Sequence, residues 1–201
     1  MYPVLDALAG RLIVLPDAIP VMGASASPPC VSKYTVKLCA SALFIRRLYQ
    51  LSVSPSMLAE KYNKPLFLHE RAAADDFIRR FKKHQDICQK SVVHCFTGDK
   101  KTLDKYLSMG FSIGVTGWIC DDRRAKELRE AVSIIPLDRI LIETDAPYLV
   151  PRNVSGLGKV NVPQNIIYVA RELAKYMKVP EDVLIENTKK NTERIFHISP
   201  V

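Results

Sequence analysis

Residues 57–201 predict an α/β fold, with parallel strands forming a sheet or barrel under a layer of helices. Three observations carry this reading. Near-continuous apolar runs occur at 65–69, 92–96, 111–115 and 139–143, the pattern of strands covered on both faces. Stretches with helical periodicity separate them. Residues capable of chemistry fall at the C-terminal ends of the runs, where α/β proteins build their sites.

The elements follow in order. Residues 1–56 form an atypical N-terminal segment, rich in Ala, Pro, Ser and Val and without a clean period. Its SASPP run, 25–29, reads as loop or disorder, and a short helix fits 37–50. The first apolar run ends in His69. Residues 74–84 read as a helix with Phe77 and Phe81 four apart, on one face. After the strand at 92–96, Asp99 suits a helix N-cap and Gly110 its stop. After the strand at 111–115, Asp121 is expected to cap a helix running to about Ser133, with Pro136 beyond it. The strand at 139–143 leads into a long loop containing Gly156 and Gly158. Pro163 opens a helix faced by Ile166, Val169 or Ala170, Leu173 and Met177. Pro180 opens another, and a last short helix is expected to carry Ile195 and Phe196.

Composition narrows the class. The chain has 201 residues and a net charge of +8, which suits a phosphate or nucleic-acid partner without identifying one. Its basic runs are mixed with acids, as in a solvated helix face. The five cysteines, Cys30, Cys39, Cys88, Cys95 and Cys120, form no CxxC pair. They argue against a disulfide framework or zinc ribbon and for a reducing compartment. The apolar stretch 8–26 is broken by Arg11, Pro16, Asp17 and Pro20 and has no basic leader, so neither a signal peptide nor a membrane span is expected.

His69, His94 and Asp145 close three of the apolar runs. A single histidine there is commonly a core residue with a backbone hydrogen bond. Imidazoles and a carboxylate at three strand ends suit a divalent ion used in hydrolysis. Glu143, two residues before Asp145, shares its side of a strand and can orient a ligand histidine. Arg71 can reach a phosphate or simply begin a helix in solvent. Tyr148 and Arg152 follow Asp145 into the loop, where substrate contacts belong. Gly98, Gly114 and Gly117 allow close backbone approach or mere turns. Trp118 reads as rim packing and Cys95 as core, pointing away from His94. His84 and His197 follow no strand and lie outside the site.

The segments LFLHER, VVHCFTG with GVTGW, and LIETDAPYLVPR resemble, in this order, the TatD family of metal-dependent deoxyribonucleases. The closing NTKKNTERIF resembles the family's last helix. The resemblance implies a TIM-type (β/α) barrel of the metal-dependent hydrolase kind. It implies cleavage of DNA phosphodiester bonds from single-stranded or 3′ ends, with Mg²⁺, or Mn²⁺ or Zn²⁺ in its place. His69 and His94 match the ligands of one metal. Asp145 matches the ligand of another and the partner of the attacking water, with Glu143 in support. A cytoplasmic or nuclear setting goes with this family.

The chain also departs from the family pattern. No His-x-His pair or Gly-Glu occurs in residues 1–68, so half the metal ligands and the first barrel strands are missing. Asn161-Val162-Pro163 stands where the family has Asn-Glu-Pro. Two readings follow. One is a nuclease using other ligands, with Asp6, Asp17 and Glu60 as candidate stand-ins. The other is a non-catalytic, truncated product that binds or regulates. Two histidines without the bridging carboxylate suit Zn²⁺ better than Mg²⁺.

Overall fold

The computed structural model describes residues 34–38 and 55–198. Its centre is a five-stranded sheet in the order β1-β2-β3-β4-β5. The strands are β1 (Tyr34–Leu38), β2 (Leu66–Glu70), β3 (Val92–His94), β4 (Ser112–Val115) and β5 (Ile140–Ile142). β2 to β5 run parallel, as the apolar runs predict. β1 pairs antiparallel with β2, setting Thr35 opposite His69. Lys37 and Leu38 therefore belong to a strand rather than to the expected helix at 37–50, the rest of which lies outside the described residues. The alternating YTVKL segment is short, and its partner LFLHE is distant in sequence. Only tertiary pairing selects the strand.

Seven α-helices accompany the sheet among the described residues: α1 (Pro55–Tyr62), α2 (Ala74–Phe81), α3 (Gln85–Cys88), α4 (Lys100–Ser108), α5 (Lys126–Ala131), α6 (Ile166–Met177) and α7 (Glu181–Phe196). Leu66, Leu68, Val93, Ile113, Val115 and Ile140 pack with the buried helix faces in the main core. Phe77 and Phe81 join it through rings stacked with Tyr106 and Phe111, at centroid distances of 4.9–5.6 Å. Fully burying such a ring stabilises the fold by about 1.5–3 kcal/mol.

Local signals set most boundaries. The Asp99 carboxylate accepts from Thr102 N at 2.8 Å and caps α4. Gly110 takes φ +94° just beyond its end, a conformation glycine adopts without strain. Asp121 behaves otherwise than expected. It lies four residues before the true N-cap of α5, Ala125, because its carboxylate is engaged by the Arg123 and Arg124 side chains. The final helix is also continuous. No breaker interrupts 181–196, so Ile195 and Phe196 end α7 instead of forming a short helix of their own.

Sheet edges invite unwanted pairing unless covered. β1 covers β2. On the β5 side, Asn191 of α7 donates its amide to Leu137 O at 2.8 Å and Ile140 O at 2.9 Å. The second face of the sheet holds a smaller cluster, with Val92, Leu141 and Ile195 flanked by Phe67 and Phe196. By strand alternation this is also the face of His69 and His94, which are register partners. The end of α7 thus packs beside the polar strand ends.

Candidate functional site

β3 runs straight into the site and stops at His94. Cys95 turns away with φ +51°, which points its N–H at Glu143 Oε2, 3.2 Å away. That oxygen also accepts from His94 Nδ1 at 2.7 Å. On the opposite side of the ring, His94 Nε2 meets Asp145 Oδ1 at 3.0 Å. The imidazole is therefore clamped between two carboxylates, and His94 is 7% exposed. Burial alone would pull its pKa down. The Glu143 charge and the hydrogen bonds to Asp145 and Glu143 outweigh burial and raise it to about 9. Burial likewise works against ionised Asp145, but hydrogen bonds from His94 and Cys95 hold its carboxyl below the usual range. The His69 ring stands 5.6 Å from the His94 ring, centroid to centroid.

Glu143 reaches His94 by crossing β4. A Cβ on Gly114 would lie 2.1–2.3 Å from the Glu143 carboxylate, so only glycine leaves room for it. Gly114, read from sequence as allowing close backbone approach or a mere turn, is the floor on which Glu143 rests. Its signal was present: a glycine on the inward-facing alternation of a strand leading to the site. Gly117 has a similar part, since a Cβ there would meet Leu149 O at 2.3 Å. It lets the loop after Asp145 close over the end of β4.

The expected residues divide into two groups. The structure brings together His69, His94, Glu143 and Asp145. Glu143 and Asp145 converge on one imidazole, though from the irregular segment after β5 rather than along a strand. Cys95 is buried, as read, but it does not point away from the site. The chain leaves strand geometry at that residue, and the thiol lies 3.3 Å from Thr116 Oγ1. Arg71, Tyr148 and Arg152 stand further out. The Arg71 guanidinium lies 5.1 Å from the centroid of Trp118, which Arg124 also approaches at 4.1 Å. Tyr148 is 74% exposed. Arg152 leans toward Asp121, Nε to Oδ2 3.5 Å. Glu60 pairs with His84 Nδ1 at 2.5 Å on α1, which does not support it as a stand-in ligand. Asp6 and Asp17 lie outside the described residues. Asn161 was noted only for the acid missing beside it. It pins the loop by donating to Tyr148 O at 2.7 Å and Leu149 O at 3.2 Å.

Parallel strands with polar groups gathered at their C-terminal ends define a partial (β/α) barrel. The chain belongs to the TatD-related DNase family, whose model matches residues 56–197. It is 40% identical over 144 residues to the 3′-5′ ssDNA/RNA exonuclease TatD of Rahnella sp. (strain Y9602), covering 71% of this chain and 55% of that protein. A TatD homologue from Escherichia coli K12 superposes with TM-score 0.65 at 29% identity, over 78% of this chain and 59% of the other. A TatD family hydrolase from Entamoeba histolytica does so with TM-score 0.60 at 26% identity, over 70% and 53%. The chain thus spans about half the length of the relatives it matches. No helix among the described residues is long and apolar enough to cross a membrane.

Proposed function

We propose that this chain is a metal-dependent phosphodiesterase acting at the 3′ ends of single-stranded DNA or RNA. The observation that carries the reading is the clamp of Glu143, His94 and Asp145 at the strand ends. In hydrolysis the oxygen of water bonds to phosphorus and the P–O bond to the leaving sugar oxygen breaks. Asp145 takes the proton of the water, and solvent protonates the leaving oxygen. Glu143 holds the His94 ring in place through Nδ1, which leaves Nε2 directed toward Asp145. Arg71, Tyr148 and Arg152, which stand further out, bind the nucleic acid beyond the reacting phosphate.

The chemistry of the donors, two imidazoles and a carboxylate, suits a divalent ion. His94 Nδ1 is engaged by the Glu143 carboxylate, the usual support of a ligating histidine, and Nε2, now on Asp145, would ligate on losing its proton. Glu143 Oε1 is buried without a hydrogen-bond partner. One divalent ion on His69 and His94 and another on Asp145 would polarise the phosphoryl oxygen and acidify water. The imidazole donors favour Zn²⁺ over Mg²⁺. Residues 57–201 form the barrel-derived unit in this reading. A reducing, cytoplasmic or nuclear setting belongs to it as well and agrees with the buried free thiols of Cys88, Cys95 and Cys120.

A second reading is a non-catalytic product that binds nucleic acid. It is favoured by one observation: among the described residues, no group of three His, Cys, Asp or Glu side chains is arranged to hold a metal ion. Degradation of 3′-labelled single-stranded DNA separates the two, with Mg²⁺, Mn²⁺ or Zn²⁺ added singly and Asp145→Ala as control. Cleavage that disappears in Asp145→Ala supports the enzyme. A folded wild-type chain that leaves the DNA intact with all three ions sinks it in favour of the second reading.

A further inference from the structure

Beside the clamp lies a cleft of about 560 Å³, to which Tyr148 and Arg152 of the substrate contacts proposed above belong. Gly117, Asp121, Arg124, Tyr148, Arg152 and Lys159 line it. Its floor is Asp121, a carboxylate with 3% side-chain exposure. Asp121 accepts from Arg123 Nε at 2.9 Å and Nη2 at 2.7 Å, and from Arg124 Nε at 2.9 Å. Arg152 approaches it at 3.5 Å. Hydrogen bonds from Arg123 and Arg124 hold its carboxyl far below the usual range, so it stays ionised and keeps the arginines in place. Of the three guanidinium groups around this one carboxylate, Arg124 and Arg152 line the cleft, and the exposed Lys159 adds a third cation. The cleft thus carries net positive charge, with guanidinium groups fixed at one end, which suits a phosphate.

The mouth of the cleft has a different character. The Tyr148 ring is exposed, yet its backbone is fixed: Tyr148 N donates to Asp145 O at 2.6 Å, and Tyr148 O accepts from the buried Asn161. An aromatic ring on a fixed backbone stacks on a base with little further ordering, and stacking tolerates any base. The volume lies within the range of roughly 300–1,000 Å³ that accepts small organic ligands. The cleft and the clamp are joined through Asp145 and Tyr148, three residues apart.

We propose that this cleft is a second contact for a single-stranded nucleic acid, apart from the phosphodiester being cleaved. Arg124, Arg152 and Lys159 take a backbone phosphate, and Tyr148 stacks on the adjoining base. The proposal rests on the reading of single-stranded nucleic acid as the substrate, but it concerns binding and needs no cleavage.

The test is fluorescence anisotropy of labelled oligo(dT) with the full chain in EDTA, over a series of salt concentrations. Lys159→Gln and Tyr148→Ala change exposed side chains and leave the core intact. Tyr148→Ala is expected to weaken binding about 5- to 100-fold, while Tyr148→Phe keeps wild-type affinity. Lys159→Gln is expected to flatten the slope of log K against log salt by about 0.7, the share of one phosphate contact on a single strand. Unchanged affinity and slope in both variants overturn the cleft as a strand contact. Thymidine monophosphate displacing the oligomer at equal concentration also overturns it, since the cleft would then be a mononucleotide pocket. Failure of the cleft is distinguishable from failure of the hydrolase reading. Cleavage with unchanged KM in both variants removes the cleft, and with it Tyr148 as a substrate contact, but leaves the hydrolase reading standing. Binding that depends on Tyr148 and Lys159 without any cleavage removes the enzyme alone.

Discussion

Replacing Gly114 by alanine perturbs the site through a single methyl group. The new Cβ would fall 2.1–2.3 Å from the Glu143 carboxylate, well inside van der Waals contact. The Gly114 backbone is ordinary strand, so alanine meets no φ penalty there. Glu143 must therefore move and release His94 Nδ1 and Cys95 N. Hydrogen bonds to a charged group contribute about 1.5–3 kcal/mol each, and water recovers part of the loss. Alanine itself favours a strand over glycine by about 0.5–1 kcal/mol. The net expectation is destabilisation of about 1–4 kcal/mol, read from urea unfolding midpoints. In a Glu143→Ala background the obstruction is gone, and Gly114→Ala should be neutral or stabilising by about 0.5–1 kcal/mol. The double-mutant cycle should then give a coupling of about 1–5 kcal/mol, the difference between the two backgrounds. An equal cost in both backgrounds would show that Glu143 does not rest on Gly114.

Three further predictions follow from other parts of the molecule. Asn191→Ala strips the amide from Leu137 O and Ile140 O, and it should destabilise the chain by about 1–3 kcal/mol without changing the urea m-value. Asp121 has a folded pKa depressed chiefly by hydrogen bonds from Arg123. Its stabilising contribution is present above the unfolded pKa of about 3.9 and is lost as pH falls toward the folded value. The stability gap between wild type and Asp121→Asn should accordingly be widest near neutrality and shrink below about pH 4, as followed by urea titrations at each pH. Burial pushes the Cys88, Cys95 and Cys120 thiols up to about 12. Peptide mapping after alkylation at pH 8 should find these three unmodified in the native chain and modified in urea, because the thiolate is the reactive form.

The sequence by itself determined the parallel strands, most of the helices between them and the candidate ligands, but not α1, α3 or the continuity of α7. Those features are local or periodic. An apolar run, a capping Asp99, a stopping Gly110 and a histidine at a strand end all lie within a few residues of one another. The family resemblance rests on the same short segments. Tertiary structure decided which of these groups meet. Glu143 and His94 are forty-nine positions apart, and nothing near either residue says that one carboxylate will cross a glycine to hold the other's ring. The same holds for Tyr34–Leu38, a strand only because β2 offers it an edge. Asp121 looked like a helix cap because aspartate so often is one, yet the arginines around it offer three charged partners and the cap offers only backbone amides. Periodicity reports which side of an element is apolar. It carries no information on pairings across the sheet, and there the clamp, the glycine floor and the basic cleft were decided.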